Sequence, residues 1–389
     1  MPGRESFTRF AAGKEHLFFS WDFYAKLLIA VYAALQAVRL PILPQFMDIY
    51  YHLSTAAGFI RAGGYSTYDF WEFAPVGRPH IYPPLFHLML AGIMRAGVPV
   101  VLIAKLCEAL MPVVFLVILW RFSRIMIGQR GAFFALVMAG SSFSFYLSLM
   151  NHLPATLAMV MGIGAWWCLE RRWFVRASIL LAGAFYTHIG ISWVFTGALV
   201  LYSFVAARSQ RSTIAVLAAA LVLAAPMIWR EGALLRLDRI VNISERFFCE
   251  FKIVEYVLAA AGIFIAVRRR DRGDLISVSL LMGSFLLALY PYRFFSAEGY
   301  LPVILLSALT FDRWYAAAAH RKDLLRYSAA AAAVGILLFS PTVLLSRTQE
   351  RCPLGYRTYF PDSALVDLMK DGRQRVCLIT EPIECLPNV

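Results

Sequence analysis

The densest run of reactive side chains in the sequence is Gln45-Phe46-Met47-Asp48-Ile49-Tyr50-Tyr51-His52-Leu53. Asp48 and His52 are four residues apart, so a helix there sets them one turn apart on one face. A carboxylate and an imidazole in that relation suit a divalent cation such as Mg or Mn, with both as metal ligands. They equally suit removal of a proton from a nucleophile by Asp48. A helix cap or a solvated loop acid would also place an aspartate at position 48. From Tyr68 to Leu85 the chain adds Glu72, Arg78, His80 and Tyr82 among further aromatic residues. Aromatic rings there suit the face of a sugar or the headgroup belt of a bilayer. With a sugar, Tyr51, Glu72 and Tyr82 are substrate contacts, and Arg78 with His80 suits a phosphate. Three shorter polar interruptions follow: Asn151-His152, Tyr186-Thr187-His188 and Tyr290-Pro291-Tyr292-Arg293. His152 is a candidate ligand or base, the alternative being that Asn151 caps the helix that Pro154 opens. His188 is a candidate substrate contact, the alternative being a hydrated imidazole at an interface.

Composition says what kind of element must hold these residues. The chain of 389 residues is 60% hydrophobic and 16% charged, with a mean hydropathy of +0.65. A soluble domain is about 45–50% apolar and about 25% charged. The apolar residues gather in runs of roughly 16–22, the length that crosses a hydrocarbon core. Spans are expected near 23–43, 99–120, 131–149, 154–169, 177–189, 190–207, 212–228, 253–267, 275–290, 297–311 and 327–346. The expected fold is thus an all-α polytopic membrane bundle of eleven transmembrane helices over residues 1–346. Its first outer loop, 44–98, is long. Pro83, Pro84 and Arg95 mark 84–97 as an interfacial or re-entrant helix. Residues 347–389 are a short outer segment. A helix at 362–370 and a strand at 376–380 begin an α/β piece too small for a core of its own.

The net charge is +13, and its cations sit in short clusters between the apolar runs, as the positive-inside bias requires. Arg121, Arg124 and Arg130 form one cluster, Arg171, Arg172 and Arg176 another, and Arg268, Arg269, Arg270 and Arg272 a third. All the clusters share one side if 84–97 does not cross. The N-terminus is then cytoplasmic and the C-terminus outside. Asp48, Arg78, His80, His152, His188 and Arg293 all fall on the outer face of a cell membrane. Arg230, Arg236, Arg239, Arg246 and Lys252, in the loop 229–252, are outer cations against the rule and suit an anionic ligand. No basic stripe with interleaved aromatics is present, which argues against nucleic acid as a partner. Residues 1–22 lack a cleavage site, so the first apolar run is expected to remain as an anchor. The six cysteines follow no metal-binding spacing.

The order of a span, Asp48-Ile49-Tyr50-Tyr51-His52-Leu53, a long aromatic loop and Tyr82-Pro83-Pro84-Leu85 resembles the GT-C superfamily of membrane glycosyltransferases. The first of these motifs is most similar to the catalytic subunits of bacterial and archaeal oligosaccharyltransferases. The resemblance implies a polytopic enzyme that uses a polyprenyl-phosphate or polyprenyl-diphosphate sugar donor. It makes Asp48 the metal ligand or the catalytic acid-base residue, and Arg293 the arginine beside the lipid phosphate. A guanidinium suits that role through bidentate hydrogen bonding, while snorkelling to headgroups is the bland alternative. Two departures stand out. The turn where a second acidic motif belongs reads Met150-Asn151-His152-Leu153, with no carboxylate. The Trp-Trp-Asp element that reads an acceptor sequon is missing, since Trp166-Trp167-Cys168 lies inside a span.

The leading function is therefore transfer of a sugar from a lipid carrier to an unknown acceptor at the outer face. A transporter or flippase of a lipid-linked or anionic substrate is the alternative from another class. Such proteins show internal repeats and charges at mid-membrane depth, and neither is visible here. A catalytically silent relative is the third reading, kept open by the missing acidic motif.

Overall fold

A computed structural model of the chain describes residues 20–41, 44, 48–71, 76–205, 210–234 and 253–318. The chain divides into Met1–Val343 and Leu344–Val389. The second unit, the expected last span at 327–346, Glu72 and residues 235–252 lie outside the described residues.

The described part is helical from end to end, apart from one small hairpin. Helix α1 (Trp21–Arg39) starts at Ser20, whose hydroxyl accepts from the Phe23 N–H at 3.2 Å. Asp22 in its first turn and Arg39 in its last complement the helix dipole. Helix α2 (Asp48–Arg61) repeats that pattern, acid first and base last. Strands β1 (Tyr68–Asp69) and β2 (Arg78–Pro79) pair antiparallel, Tyr68 with Pro79 and Asp69 with Arg78. Helix α3 (Leu85–Arg95) follows the two prolines. Then come α4 (Val100–Ser141), α5 (Phe143–Asn151), α6 (Leu153–Glu170), α7 (Phe174–Phe185) and α8 (Ile189–Val205). The rest are α9 (Gln210–Leu234), α10 (Ile253–Arg269), α11 (Arg272–Ser284), the short α12 (Pro291–Phe295) and α13 (Leu301–Ala318).

Five helical stretches among the described residues are long and apolar enough to cross a membrane: Trp21–Arg39, Val100–Ser141, Leu153–Glu170, Gln210–Ala233 and Pro291–Ala317. Shorter apolar helices, α3, α7, α8 and the stretch Gly273–Leu287, lie among them. The main packed pairs are α10 with α13, α6 with α7, α11 with α8, and α1 with α4. Small residues set the closest of these approaches. A Cβ at Gly262 of α10 would strike the Leu306 carbonyl of α13, and one at Gly283 of α11 the Val194 carbonyl of α8.

Three expected boundaries move. Arg121 and Arg124 were expected in a loop, but α4 stays helical through them and turns only at Gly128, where φ is 81°. No glycine or proline stands between Pro112 and Gly128 to stop the helix, and its cations find partners. Arg124 is 2.8 Å from Asp22 and Arg130 is 2.6 Å from Asp312, tying α4 to α1 and α13. The expected span 131–149 is two helices, interrupted at Ser142, which caps α5 through the Phe145 N–H. The expected span at 297–311 becomes helical as α13 only from Leu301. Residues 298–300, just before it, form a single 3-10 turn.

Candidate functional site

The polar residues that matter sit where helices are interrupted. Backbone amides and carbonyls at such breaks need partners other than the helix ladder, and side chains there can turn into a cleft. His152 stands at the break between α5 and α6, with φ −87° and ψ 59°. It opens α6 without a side-chain cap, and Asn151 belongs to α5, so the alternative of an Asn151 cap does not hold. His188 is the link between α7 and α8, Arg293 lies in α12, and Glu298 begins the 3-10 turn 298–300. Asp48 is the first residue of α2.

Four of these side chains form one connected group. Glu298 Oε1 lies 2.8 Å from His152 Nδ1 and 3.2 Å from Arg293 Nη1. Arg293 Nη1 is 3.4 Å from His188 Nε2. His188 Nδ1 accepts the Ile191 backbone N–H at 3.3 Å, which assigns the proton of the neutral ring to Nε2. Both nitrogens are then donors, and an anionic oxygen set to one side of the pair suits them as a shared acceptor. Tyr292 stands edge-on to His152, with ring centroids 5.7 Å apart.

Asp48 joins this group through its field. Asp48 is exposed as a residue, while its carboxyl is partly enclosed by the protein. Burial therefore raises its pKa above the usual aspartate value, while the charges of His152 and Arg293 pull it back. His188 feels burial first and then Arg293, and its pKa falls to about 3, so it is a neutral donor.

A second group holds the other expected residues. His52 and His87 are buried, with His52 Nδ1 2.8 Å from His87 Nε2. His80 is fully buried, with Nδ1 2.8 Å from Asp69, and its ring centroid is 5.3 Å from that of His87. Tyr51 and Tyr82 pack on His52 and His87. Arg78 lies in β2, paired with Asp69. Arg230, at the end of α9, fastens this loop: it donates to the Tyr82 carbonyl at 3.3 Å and to that of His80, and sits over the Tyr65 ring.

Two expectations change here. Asp48 and His52 are indeed one turn apart on α2, but the His52 imidazole is turned into the aromatic packing, with Nδ1 already engaged. Burial drives its pKa down to about 3, helped by His188 and His80. Among the described residues no group of three His, Cys, Asp or Glu side chains is arranged to hold a metal ion. His80, expected beside a phosphate, has its Nδ1 on Asp69 and no exposed surface.

No family model and no curated protein matches the chain. Solved structures do. The apo oligosaccharyltransferase of Archaeoglobus fulgidus superposes with a TM-score of 0.58 at 14% identity, over 89% of this chain and 59% of that one. The chain shares the fold of this enzyme. The same archaeal enzyme, AglB, in complex with an inhibitory peptide and a dolichol-phosphate matches over the same shares with a TM-score of 0.56 at 14% identity. Its complex with Zn and sulfate matches at 0.54 and 14% identity, over 83% of this chain and 52% of that one. The chain spans about three fifths of the length of this GT-C neighbour.

Glu298 is the member of the site that sequence reasoning missed. The turn beside His152, where a second carboxylate was expected, has none. The usable signal was different: Glu298 is the first acid after Arg293, directly ahead of the apolar run that becomes α13. Acids seldom stand buried beside such a run unless paired.

Proposed function

We propose that the chain is a glycosyltransferase. It moves a sugar from a polyprenyl-phosphate or polyprenyl-diphosphate carrier to an acceptor hydroxyl at the outer face of the membrane. The observation that carries this is the pair of donors on His188 and Arg293, set in the same group as His152 and within electrostatic reach of Asp48. Anion grip and base are what the reaction needs, side by side. The N-terminus in the cytoplasm and the C-terminus outside belong to the same proposal. The dolichol-phosphate bound by the archaeal neighbour supports a lipid phosphate as the donor's anchor.

In the proposed reaction the acceptor oxygen attacks C1 of the sugar from the face opposite the phosphate. The C1–O(acceptor) bond forms as the C1–O(phosphate) bond breaks, with inversion at C1. Asp48 takes the hydroxyl proton, and His152 receives it from Asp48 and passes it to water. Charge grows on the departing phosphate, where Arg293 and His188 donate hydrogen bonds. His52, the expected second ligand beside Asp48, is committed to His87, and the steps above run through the chain's own residues. Tyr51, Tyr82, Arg78 and Glu72 are proposed as substrate contacts from the first outer loop.

The test is transfer of labelled sugar in membranes that contain polyprenyl-linked sugars, comparing wild type with Asp48→Asn at matched expression. Wild-type transfer, with most of the rate lost in the variant and donor binding kept, supports the proposal. No transfer from any donor overturns it and brings the transporter reading forward. Equal rates overturn the role of Asp48.

A further inference from the structure

Glu298 bonds in an unusual way. One oxygen, Oε1, serves two donors, His152 Nδ1 at 2.8 Å and Arg293 Nη1 at 3.2 Å. The other, Oε2, is buried and meets no side-chain donor among the described residues, while the residue's own backbone N–H also bonds to the carboxylate. Glu298 itself is 4% exposed. A buried pair is weak evidence for stability, because desolvation offsets the Coulombic gain. What the arrangement does achieve is geometric. It joins the break between α5 and α6 to the turn that follows α12, through one atom.

We infer that Glu298 is a positioning residue that registers the acceptor end of the site against the donor end; the inference rests on the transfer reading above. At the acceptor end, Oε1 accepts the Nδ1 proton of His152. The ring lone pair is thereby kept on Nε2, the nitrogen that must receive the proton handed on by Asp48. The imidazolium that forms then has a carboxylate beside it. At the donor end, the same oxygen holds Arg293 by Nη1 and fixes the plane of its guanidinium, which a bidentate grip on phosphate requires. Glu298 touches neither substrate. It also supplies, from another part of the chain, the carboxylate that the turn at Asn151-His152 lacks.

The test uses the full chain in lipid nanodiscs with histidine nitrogens labelled by 15N. The chain has seven histidines, and the His152 signals are those lost in His152→Gln. Wild type is expected to show His152 protonated at Nδ1 and bare at Nε2. Glu298→Ala is expected to lose that preference, and to lower kcat by about a hundredfold, the scale of a misplaced acid-base group. Glu298→Gln, which keeps an acceptor oxygen without the charge, should keep the tautomer and still lose rate. Glu298→Asp should recover part of it. A merely structural role would lower the melting temperature of all three without moving the tautomer. The inference is overturned if Glu298→Ala leaves the tautomer as in wild type, or if Glu298→Gln transfers at the wild-type rate. The second outcome decides the matter even if the alanine variant does not fold. A tautomer change in a protein that transfers no sugar overturns the transfer reading while the orienting bond stands. Transfer by the wild type with no tautomer change overturns the positioning role alone.

Discussion

Glu298 Oε1 lies 2.8 Å from His152 Nδ1, although the two residues stand 146 positions apart. The bond links the start of α6 to the turn before α13, and Arg293 shares its acceptor oxygen. A site assembled in this way depends on the bundle being packed, because no local segment contains more than a fraction of it. It also explains how a chain can lack an acid beside His152 and still present that histidine to a carboxylate.

Arg293 should show itself in donor binding. Replacing it with lysine keeps one positive charge but removes the planar fork, so bidentate contact with phosphate is lost. Arg293→Lys is expected to raise KM for the polyprenyl-linked donor by about tenfold, the loss of one charge-assisted hydrogen bond of roughly 1.5 kcal/mol. KM for the acceptor should change little. Initial rates over a matrix of donor and acceptor concentrations separate the two. A larger effect on the acceptor would place Arg293 on the wrong side of the reaction.

Asp48 should set the acid limb of the rate profile. Burial raises its pKa, and the charges of His152 and Arg293 lower it in part. A base works only when ionised, so activity should fall as pH drops through that raised pKa, at a higher pH than an ordinary aspartate would give. Removing the Arg293 charge removes one of the two lowering effects. The acid limb of Arg293→Gln should therefore move to higher pH, measured as log kcat/KM against pH. An acid limb that stays in place, or moves down, would mean that another group carries it.

The sequence made the fold legible for a simple reason. Lipid tolerates only long apolar helices, so the runs at 23–43, 154–169 and 253–267 had one reading, and α1, α6 and α10 follow it closely. Breaks were harder. Ser142 divides a run that is apolar on both sides, and Gly128 stops a helix that passes through its own cationic cluster. Asp48, His152, His188 and Arg293 were legible because polar residues beside apolar runs are conspicuous. Their grouping was not, since it depends on how breaks far apart in sequence meet. His52 and His80 misled for the opposite reason. Spacing predicted that His52 shares a face with Asp48, but not that the face beyond the first turn packs against α3, which turns His52 toward His87.

The histidines of the first outer loop should make that loop acid-labile. His52 and His87 are buried, and burial lowers the pKa of each, His52 to about 3 and His87 well below the ordinary 6.5. Both therefore stay neutral in the folded loop at pH values where the unfolded chain would protonate them. For His52 between pH 6.5 and about 3, and for His87 from pH 6.5 downward, the unfolded state binds more protons, so stability rises with pH there and is lost as pH falls. Above 6.5 both states are neutral and the effect vanishes. Each histidine contributes a slope of about 1.4 kcal/mol per pH unit within the window. Bonds from Arg230 to the carbonyls of His80 and Tyr82, and from the Leu85 N–H to the Tyr186 carbonyl, tie the loop to the bundle. The loop should open before the bundle does. Amide hydrogen exchange of residues 48–95, followed from pH 7.5 to pH 5 and corrected for intrinsic rates, should show protection falling below pH 6.5 while α6 and α13 hold theirs. In His52→Phe/His87→Phe the rings remain and the proton sites are gone, so the fall should flatten. If protection in the double variant still falls as steeply as in wild type, some other group governs the loop, and the two imidazoles are ordinary packing.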